Sequence, residues 1–575
     1  MKNKTAYIIL FFIIILGFLL RFTLLGSVPV GFHRDEASLG YNAYSILKTG
    51  KELAGNFLPL HLKSFLYSPA GYTYFSIPFV LIFGLNEFAS RFASALFGLL
   101  TIPLTFLLVR LLFSKFKNSN LIALIAAFFL AISPWNINLS RVSTDNVIVV
   151  FFITLGVILY HLWNQKNKWY LLIFSFLCFT ISLFTYQAPR GFLPFFLPLM
   201  FIYYSYKDRK KLFISFLLYF IFIIIPIISV LLSPDLSIRI RMLSIFNSPS
   251  TQLVLDEQLR EDGVMKIAPV FARVFHNKIL SYAGTFILNY TDHFSFRFLF
   301  TDSGFPDRYR VPGFGLLYLF DLPLIVFGIW NLFSKNKKLL GFLLGWVLLA
   351  PIGSALTYDD IPNLQRTLMV FPALSIIPAF GLIGIWEYLK SYNKIKYLKE
   401  SLIVLAIIIT GFSFSSYLFA YYVQQVVHKP LYREEGYKKL VSSINALDKN
   451  NKYKLIVVAN PQSDASILFA YFNVVDPTVL QPIFAKVKNG EYGEASFGKY
   501  KFVKDECPVR EISAVNTKSS IKMSYVTGEK DVLYVDSGFC QLPTKGISIL
   551  SRIYRSDGVL VFVVIKLQGG SKNIQ

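Results

Sequence analysis

Eleven stretches of this chain are long and apolar enough to cross a bilayer, and that decides the class of fold first. They lie near 6–25, 91–113, 120–139, 146–163, 169–186, 191–206, 212–232, 313–333, 339–357, 367–388 and 401–422. A spanning helix needs about 20 mostly apolar residues to cross roughly 30 Å of hydrocarbon. Within that layer the backbone must satisfy its own amides, which helices do. Composition agrees: 54% of the 575 residues are hydrophobic, 16% are charged, and the mean hydropathy is +0.53. Soluble domains carry about 25% charge, and disordered chains lack this apolar content. A water-soluble enzyme and a disordered chain are both excluded.

The formal charge of +24, from 57 Lys+Arg against 33 Asp+Glu, is read with that background. The apolar excess assigns the basic balance to membrane topology and not to nucleic acid. Short cationic loops stay on the cytoplasmic side. Lys2/Lys4, Lys115/Lys117, Lys166/Lys168, Lys207/Arg209/Lys210/Lys211, Lys335/Lys337/Lys338 and Lys390/Lys394/Lys396/Lys399 all fall inside if there are eleven spans. The first run reads as an uncleaved anchor, because its apolar stretch is long and no small-residue cleavage site is clear. The apolar segment 70–84 is short and reads as interfacial or re-entrant. Counting it as a span would invert every later loop.

The outer connections are then residues 26–90, 139–146, 187–190, 233–312 and 358–366, followed by a tail at 423–575. Within the tail, Gly436-Tyr437-Lys438-Lys439-Leu440 opens an amphipathic helix. LIVVA (455–459), VLYVD (532–536) and GVLVFVVIKL (558–567) read as strands, with Ser556-Asp557-Gly558 as a hairpin turn. The expectation is a mainly α, polytopic membrane protein of about eleven transmembrane helices, with surface helices in its outer loops. It comprises a transmembrane domain at 1–422 and a small extracytoplasmic α/β domain at 423–575, in the cell membrane with its N-terminus inside. Cys178 lies in an apolar run and reads as inert core. Cys507 and Cys540 are free to pair if the tail is extracytoplasmic. No CxxC or Cys/His metal spacing is present.

Polar groups near a bilayer are costly, so their clusters carry information. Five occur, all on the outer side in this orientation. The first is His33-Arg34-Asp35-Glu36, where adjacent carboxylates sit beside a guanidinium and an imidazole, a set suited to acid–base or cation chemistry. A helix follows over 36–48, capped by Gly50, and then Lys63. The second is Ser133-Pro134-Trp135, Ser140-Arg141 and Asp145-Asn146, which reads either as an interfacial ion pair or as a phosphate contact. The third is Tyr186-Gln187-Ala188-Pro189-Arg190, which reads either as snorkelling or as a headgroup contact. The fourth, Asn289 to Phe294, holds Asp292 and His293 and runs on to Asp302, Asp307, Arg308 and Arg310. The fifth is Tyr358-Asp359-Asp360…Asn363…Arg366. The clusters and the Lys/Arg loops involve different residues and agree on the side.

These residues resemble a known group. Asp35-Glu36-Ala37 followed by GYNAYSILKTGKELAGNFLPLHL looks like the first outer loop of the GT-C glycosyltransferases. It is most similar to the dolichyl-phosphate-mannose–protein mannosyltransferase and aminoarabinose transferase branch. Phe83-Gly84-Leu85-Asn86-Glu87 with Arg91, Ser133-Pro134-Trp135…Arg141…Asp145, HFSFRFLF followed by PGFGLLYL, and Asn363…Arg366 match the same pattern over roughly residues 6–422. The resemblance implies transfer of a sugar from a polyprenyl-phosphate carrier to an acceptor at the outer face. It implies Asp35 as catalytic base with Glu36 as its neighbour and Asp145 as the second acid. Arg34, Lys63, Arg141, Arg190 and Arg366 are candidates for the departing phosphate, with Tyr186 and His293 among the substrate contacts. No nucleotide cofactor is implied, and metal dependence stays open. Membrane lipid is the surrounding partner, and the acceptor is a protein, a lipid or a glycan. A flippase of lipid-linked sugars, a ligase or polymerase using a pyrophosphate carrier, and an adhesion anchor are the competing readings.

Overall fold

A computed structural model describes residues 3–232, 241–391, 398–460, 465–487, 495–509, 531–542 and 546–568. Residues 233–240 of the long outer loop, and Lys394 and Lys396 of the last basic loop, lie outside the described residues. Two compact units divide the chain. One is Met1–Thr23 with Ala93–Tyr421, and the other is Leu24–Phe92 with Tyr422–Gln575.

The first unit is helical, and each apolar run assigned to it contains a helix. Among the described residues, six helices are long and apolar enough to cross a membrane: Asn3–Phe22, Glu87–Leu112, Asp145–Lys166, Lys337–Ala355, Ala373–Lys390 and Glu400–Val427. The pair Ser119–Ile132 and Pro134–Ser140, bent by 55°, makes a seventh if it is one span. This is a multi-pass membrane protein; the apolar run 212–232 lies in a further helix, Arg209–Leu232, of 24 residues. Trp169–Thr185 and Pro189–Ser205 have 17 residues each, and the second contains Pro194 and Pro198. In the run 313–333 the helix begins only at Asp321. Gly315 there stands against the backbone of Leu299 and Phe300, where a Cβ would meet the Phe300 nitrogen at 2.4 Å.

The run 120–139 breaks at Ser133-Pro134 for a local reason. Proline has no amide to give the preceding turn, and the Ser133 hydroxyl accepts the Asn136 amide to start a new helix. The break frees the carbonyls of Leu130 and Ala131. Arg21, wholly buried on the first helix, donates to both at 3.3 and 3.2 Å and to the Asn136 side chain at 2.6 Å. A helix broken at membrane depth needs such a partner. Sequence reading missed Arg21, because one Arg at the end of an apolar run looks like an ordinary flanking charge.

The second unit combines the first outer loop with the tail. A short antiparallel pair, β1 (His61–Leu62) and β2 (Ser68–Pro69), lies in the loop. The tail holds a five-stranded sheet of β3 (Leu455–Ala459), β4 (Tyr500–Val503), β5 (Val532–Ser537), β6 (Ile547–Tyr554) and β7 (Leu560–Leu567), in the order β4-β3-β5-β7-β6. β3 is parallel to β4 and β5, while β7 is antiparallel to β5 and β6. β5 is buried throughout, as a central strand covered on both faces must be. The expected 556–558 turn joins β6 and β7, and the helix Tyr437–Leu447 packs Leu440, Val441 and Ile444 against the sheet. Phe32, Ala37, Tyr41 and Leu53 of the loop enter that same core with Phe469 and Tyr471. The Tyr41 hydroxyl donates to the Val475 carbonyl at 2.6 Å. Cys507 and Cys540 form a disulfide. Cys178 is buried and free.

Candidate active site

In the second unit the site grows from one helix start. The helix runs from Arg34 to Thr49, two residues earlier than its spacing predicts. His33 is its N-cap, and the Nδ1 atom accepts the Asp35 amide at 3.1 Å. That bond leaves the ring proton on Nε2. Asp35 and Glu36 occupy the first turn, where exposed amides favour carboxylates. Successive helical side chains diverge by about 100°, so the two acids meet different surroundings.

Glu36 turns inward and is 5% exposed. It takes a two-pronged bond from Arg91, at 2.9 Å from Nε and 3.0 Å from Nη2. Arg91 is 1% exposed and also donates to the carbonyls of Leu25, Pro29 and Gly31. Its guanidinium lies 5.4 Å from the centre of the Phe32 ring. Asp35 keeps a side chain 27% exposed, with a carboxylate oxygen 3.6 Å from His33 Nδ1. Arg34 is 40% exposed.

Lys63 begins a short turn held from below by Glu52. The wholly buried Glu52 carboxylate accepts the amides of Lys63 and Ser64, the Ser64 hydroxyl and the Asn56 side chain. The Lys63 backbone is thus fixed, while its ammonium makes no hydrogen bond or ion pair among the described residues.

In the first unit a second group gathers around the segment 357–367. Arg366 donates to the Thr357 hydroxyl, to the Asp359 carbonyl and to the Asp359 carboxylate. Burial opposes its charge, but Tyr186, Asp359 and Asp360 outweigh burial and hold the guanidinium firmly protonated. Tyr186 and Arg366, 180 residues apart, therefore share one electrostatic neighbourhood. His293, 2% exposed, has both ring nitrogens engaged. Nδ1 bonds the Asn289 carbonyl at 2.7 Å, and Nε2 accepts the Asn363 amide at 3.1 Å and meets the Ser354 hydroxyl at 2.9 Å. Burial lowers its pKa to about 4. That geometry ties the segments around Asn289, Ser354 and Asn363 together through the His293 ring.

Arg141 is wholly buried and donates to the Leu20 and Thr23 carbonyls at 2.8 and 2.7 Å, with its guanidinium over the Tyr421 ring. Asp145 starts the helix Asp145–Lys166 and is half-buried. Its neighbour Asn146 donates to the Gln365 carbonyl, and Trp135 donates to the Leu364 carbonyl at 2.8 Å. Arg190 reaches back to the Leu183 carbonyl at 3.4 Å. Among the described residues no group of three or more His, Cys, Asp or Glu side chains is placed to hold a metal ion.

The fold matches that of ArnT from Cupriavidus metallidurans with a TM-score of 0.51. The match covers 98% of both chains at 11% identity. Residues 10–232 match the family model described as dolichyl-phosphate-mannose-protein mannosyltransferase. Over that stretch the chain is similar to a family of GT-C glycosyltransferases. The matched stretch contains Arg34, Asp35, Glu36, Lys63, Arg141, Asp145, Tyr186 and Arg190, but not His293 or Arg366. A second ArnT structure from the same organism, bound to undecaprenyl phosphate, has a TM-score of 0.51 at 10% identity over 99% of both chains. The archaeal oligosaccharyltransferase AglB from Archaeoglobus fulgidus, in complex with an inhibitory peptide and a dolichol-phosphate, has a TM-score of 0.50 at 13% identity. There the match covers 82% of this chain and 64% of AglB. An uncharacterized protein of Aquifex aeolicus is 28% identical over 181 residues, which are 31% of this chain and 34% of that protein.

Sequence reasoning missed Glu434 beside His33 and Arg34. It noted Arg91 as part of a motif but not as the partner of Glu36. No local pattern announces a contact between residues 400 positions apart.

Proposed function

We propose that this chain is a GT-C glycosyltransferase that moves one sugar from a polyprenyl-phosphate carrier to an acceptor on the outer face of the membrane, with Asp35 as catalytic base. The observation that carries this is the division of labour between adjacent acids. Glu36 is buried and neutralised by Arg91, whereas Asp35 is partly exposed on a rigid helix start. A base must reach its proton, and the partly exposed Asp35 carboxylate can do so. The carboxylate removes the proton of the acceptor hydroxyl, whose oxygen forms the new bond to the anomeric carbon as the carbon–oxygen bond to the carrier phosphate breaks. The departing phosphate takes its negative charge with it, so a cation with uncommitted donors lowers the barrier. Lys63 fits that role best, since Arg366 already serves Asp359 and Thr357. Asp145, at the start of its helix, is the second acid of the reading. The disulfide in the tail supports an oxidising, extracytoplasmic side.

The test is Asp35→Asn in the purified full-length chain. Loss of polyprenyl phosphate release, with insertion and melting temperature preserved, is the expected result. Substantial turnover by Asp35→Asn would overturn the reading.

A further inference from the structure

We propose that Glu434, a residue of the tail, is a positioning residue for Asp35, so that the tail helps set the geometry of the base. The inference rests on the reading of Asp35 given above.

A helix start leaves its first amides without partners inside the helix. Here two of them are covered by two different side chains. His33 covers the Asp35 amide. Glu434 covers the Arg34 amide with Oε2 at 2.6 Å. The other Glu434 oxygen lies 3.7 Å from His33 Nε2 and 3.9 Å from Arg34 Nε. Because His33 Nδ1 is an acceptor, the ring proton sits on Nε2 and faces this carboxylate. An anion on that side favours the tautomer that the cap requires. Glu434 therefore acts on Asp35 through His33, by holding both the ring and the first peptide of the turn.

The placement of Glu434 is built into the chain. Its backbone adopts φ 53°, a region that side-chain-bearing residues enter at a cost. The preceding Arg433 donates to the Val30 carbonyl at 2.7 Å and to those of Gln425 and His428. Gly31, at φ 87°, lies so close that a Cβ would meet the Arg433 carbonyl oxygen at 2.5 Å. The following Glu435 accepts the Ser556 amide and hydroxyl at the β6–β7 turn. A continuous run of contacts thus leads from the tail sheet through Glu435 and Glu434 to His33, and so to Asp35.

The experiment uses the full-length chain in nanodiscs. The donor is the lipid extract of a deletion strain, and membranes of that strain supply the acceptor. Release of polyprenyl phosphate is read by mass spectrometry. Glu434→Gln keeps an acceptor for the Arg34 amide but loses the charge. Its saturated rate is expected to fall about tenfold, since small misplacements of a catalytic group cost 10- to 100-fold. Half-saturation by donor stays unchanged, and melting stays within about 2 °C. His33→Asn preserves a capping side chain but removes the Nε2 proton. In that background Glu434→Gln should change the rate less than about twofold, because the path to Asp35 is already cut. A wild-type rate in Glu434→Gln, or the same tenfold loss with and without His33, overturns the inference while leaving the base intact. No release by the wild type, or release by Asp35→Asn, brings down the base assignment and this inference with it.

Discussion

Replacing Glu36 by Gln tests whether the buried acid of the pair supports the fold or the chemistry. In the wild type the Arg91 guanidinium makes two bonds to Glu36 and three to backbone carbonyls, with 1% of its surface exposed. Glu36→Gln removes the carboxylate that takes two of the bonds of this buried cation. Breaking one side of such a pair costs about 3–5 kcal/mol. For a body of 150–250 residues each kcal/mol moves the melting point by about 2–4 °C, so a fall of about 6–20 °C is expected. Asp35→Asn, on the exposed side of the same turn, should cost about 0.5 kcal/mol through the helix terminus alone. The assay is thermal unfolding of the purified chain in detergent, monitored beside activity well below each variant's melting point. Glu36→Gln should be less stable yet turn over, and Asp35→Asn should be stable yet inactive. The double variant Glu36→Leu/Arg91→Met removes both ions but also strands the Leu25, Pro29 and Gly31 carbonyls, so its loss should be smaller than the sum of the two single losses while still exceeding zero. The reasoning fails if Glu36→Gln melts with the wild type, or if the double variant shows the summed losses of the two singles.

Three further outcomes follow from single sites. Lys63→Met should weaken donor binding by about 10- to 100-fold, the worth of a hydrogen bond to a charged group. Undecaprenyl phosphate titrated into the full-length chain checks this, and unchanged affinity counts against Lys63. Cys507→Ser should destabilise the tail by roughly 4 kcal/mol on the loop-closure account for a separation of 33 residues. Thiol labelling of the wild type before and after reduction checks that the pair is formed. His293 stays neutral in the folded chain down to about pH 4 because of burial, whereas unfolded histidine takes a proton near pH 6.5. Between those values the unfolded chain binds more protons, so stability is full at neutral pH and falls by about 3 kcal/mol as pH drops toward 4. His293→Asn should flatten that acid limb, and an unchanged limb would assign it to other groups.

The helices were legible because a bilayer leaves an apolar run few alternatives, and the β6–β7 hairpin because Ser556-Asp557-Gly558 is local turn chemistry. The break at Pro134 was readable in principle, but hydropathy averaged over 120–139 conceals it. What periodicity cannot carry is pairing at a distance. Asp35 and Glu36 look alike in sequence, and only the long-range arrival of Arg91 separates them. The cap at His33 was hidden for a related reason: Ser, Thr, Asp and Asn are the usual signals, and His fills the place here with Glu434 behind it. Loop and tail also read as separate segments, although Phe32 and Tyr41 share one core with Tyr471.

The cations divide by what their donors already serve. Arg21, Arg91 and Arg141 are at most 1% exposed. Arg21 tends the carbonyls of a broken helix, Arg91 closes a loop around Glu36, and Arg141 bonds the end of the first helix at Leu20 and Thr23. A guanidinium whose N–H groups are given to carbonyls must abandon them to grip a phosphate, and each abandoned buried acceptor costs about 1–3 kcal/mol. Lys63 carries no such debt: its backbone is fixed by Glu52 and its ammonium is uncommitted among the described residues. The residue type fits as well, since a lysine binds phosphate as a mobile point charge, without the fixed fork that arginine needs. An abundance of arginine in a membrane protein is thus poor evidence of anion sites until each donor has been accounted for. That accounting separates the cations that hold this fold from Lys63, the cation proposed for the phosphate.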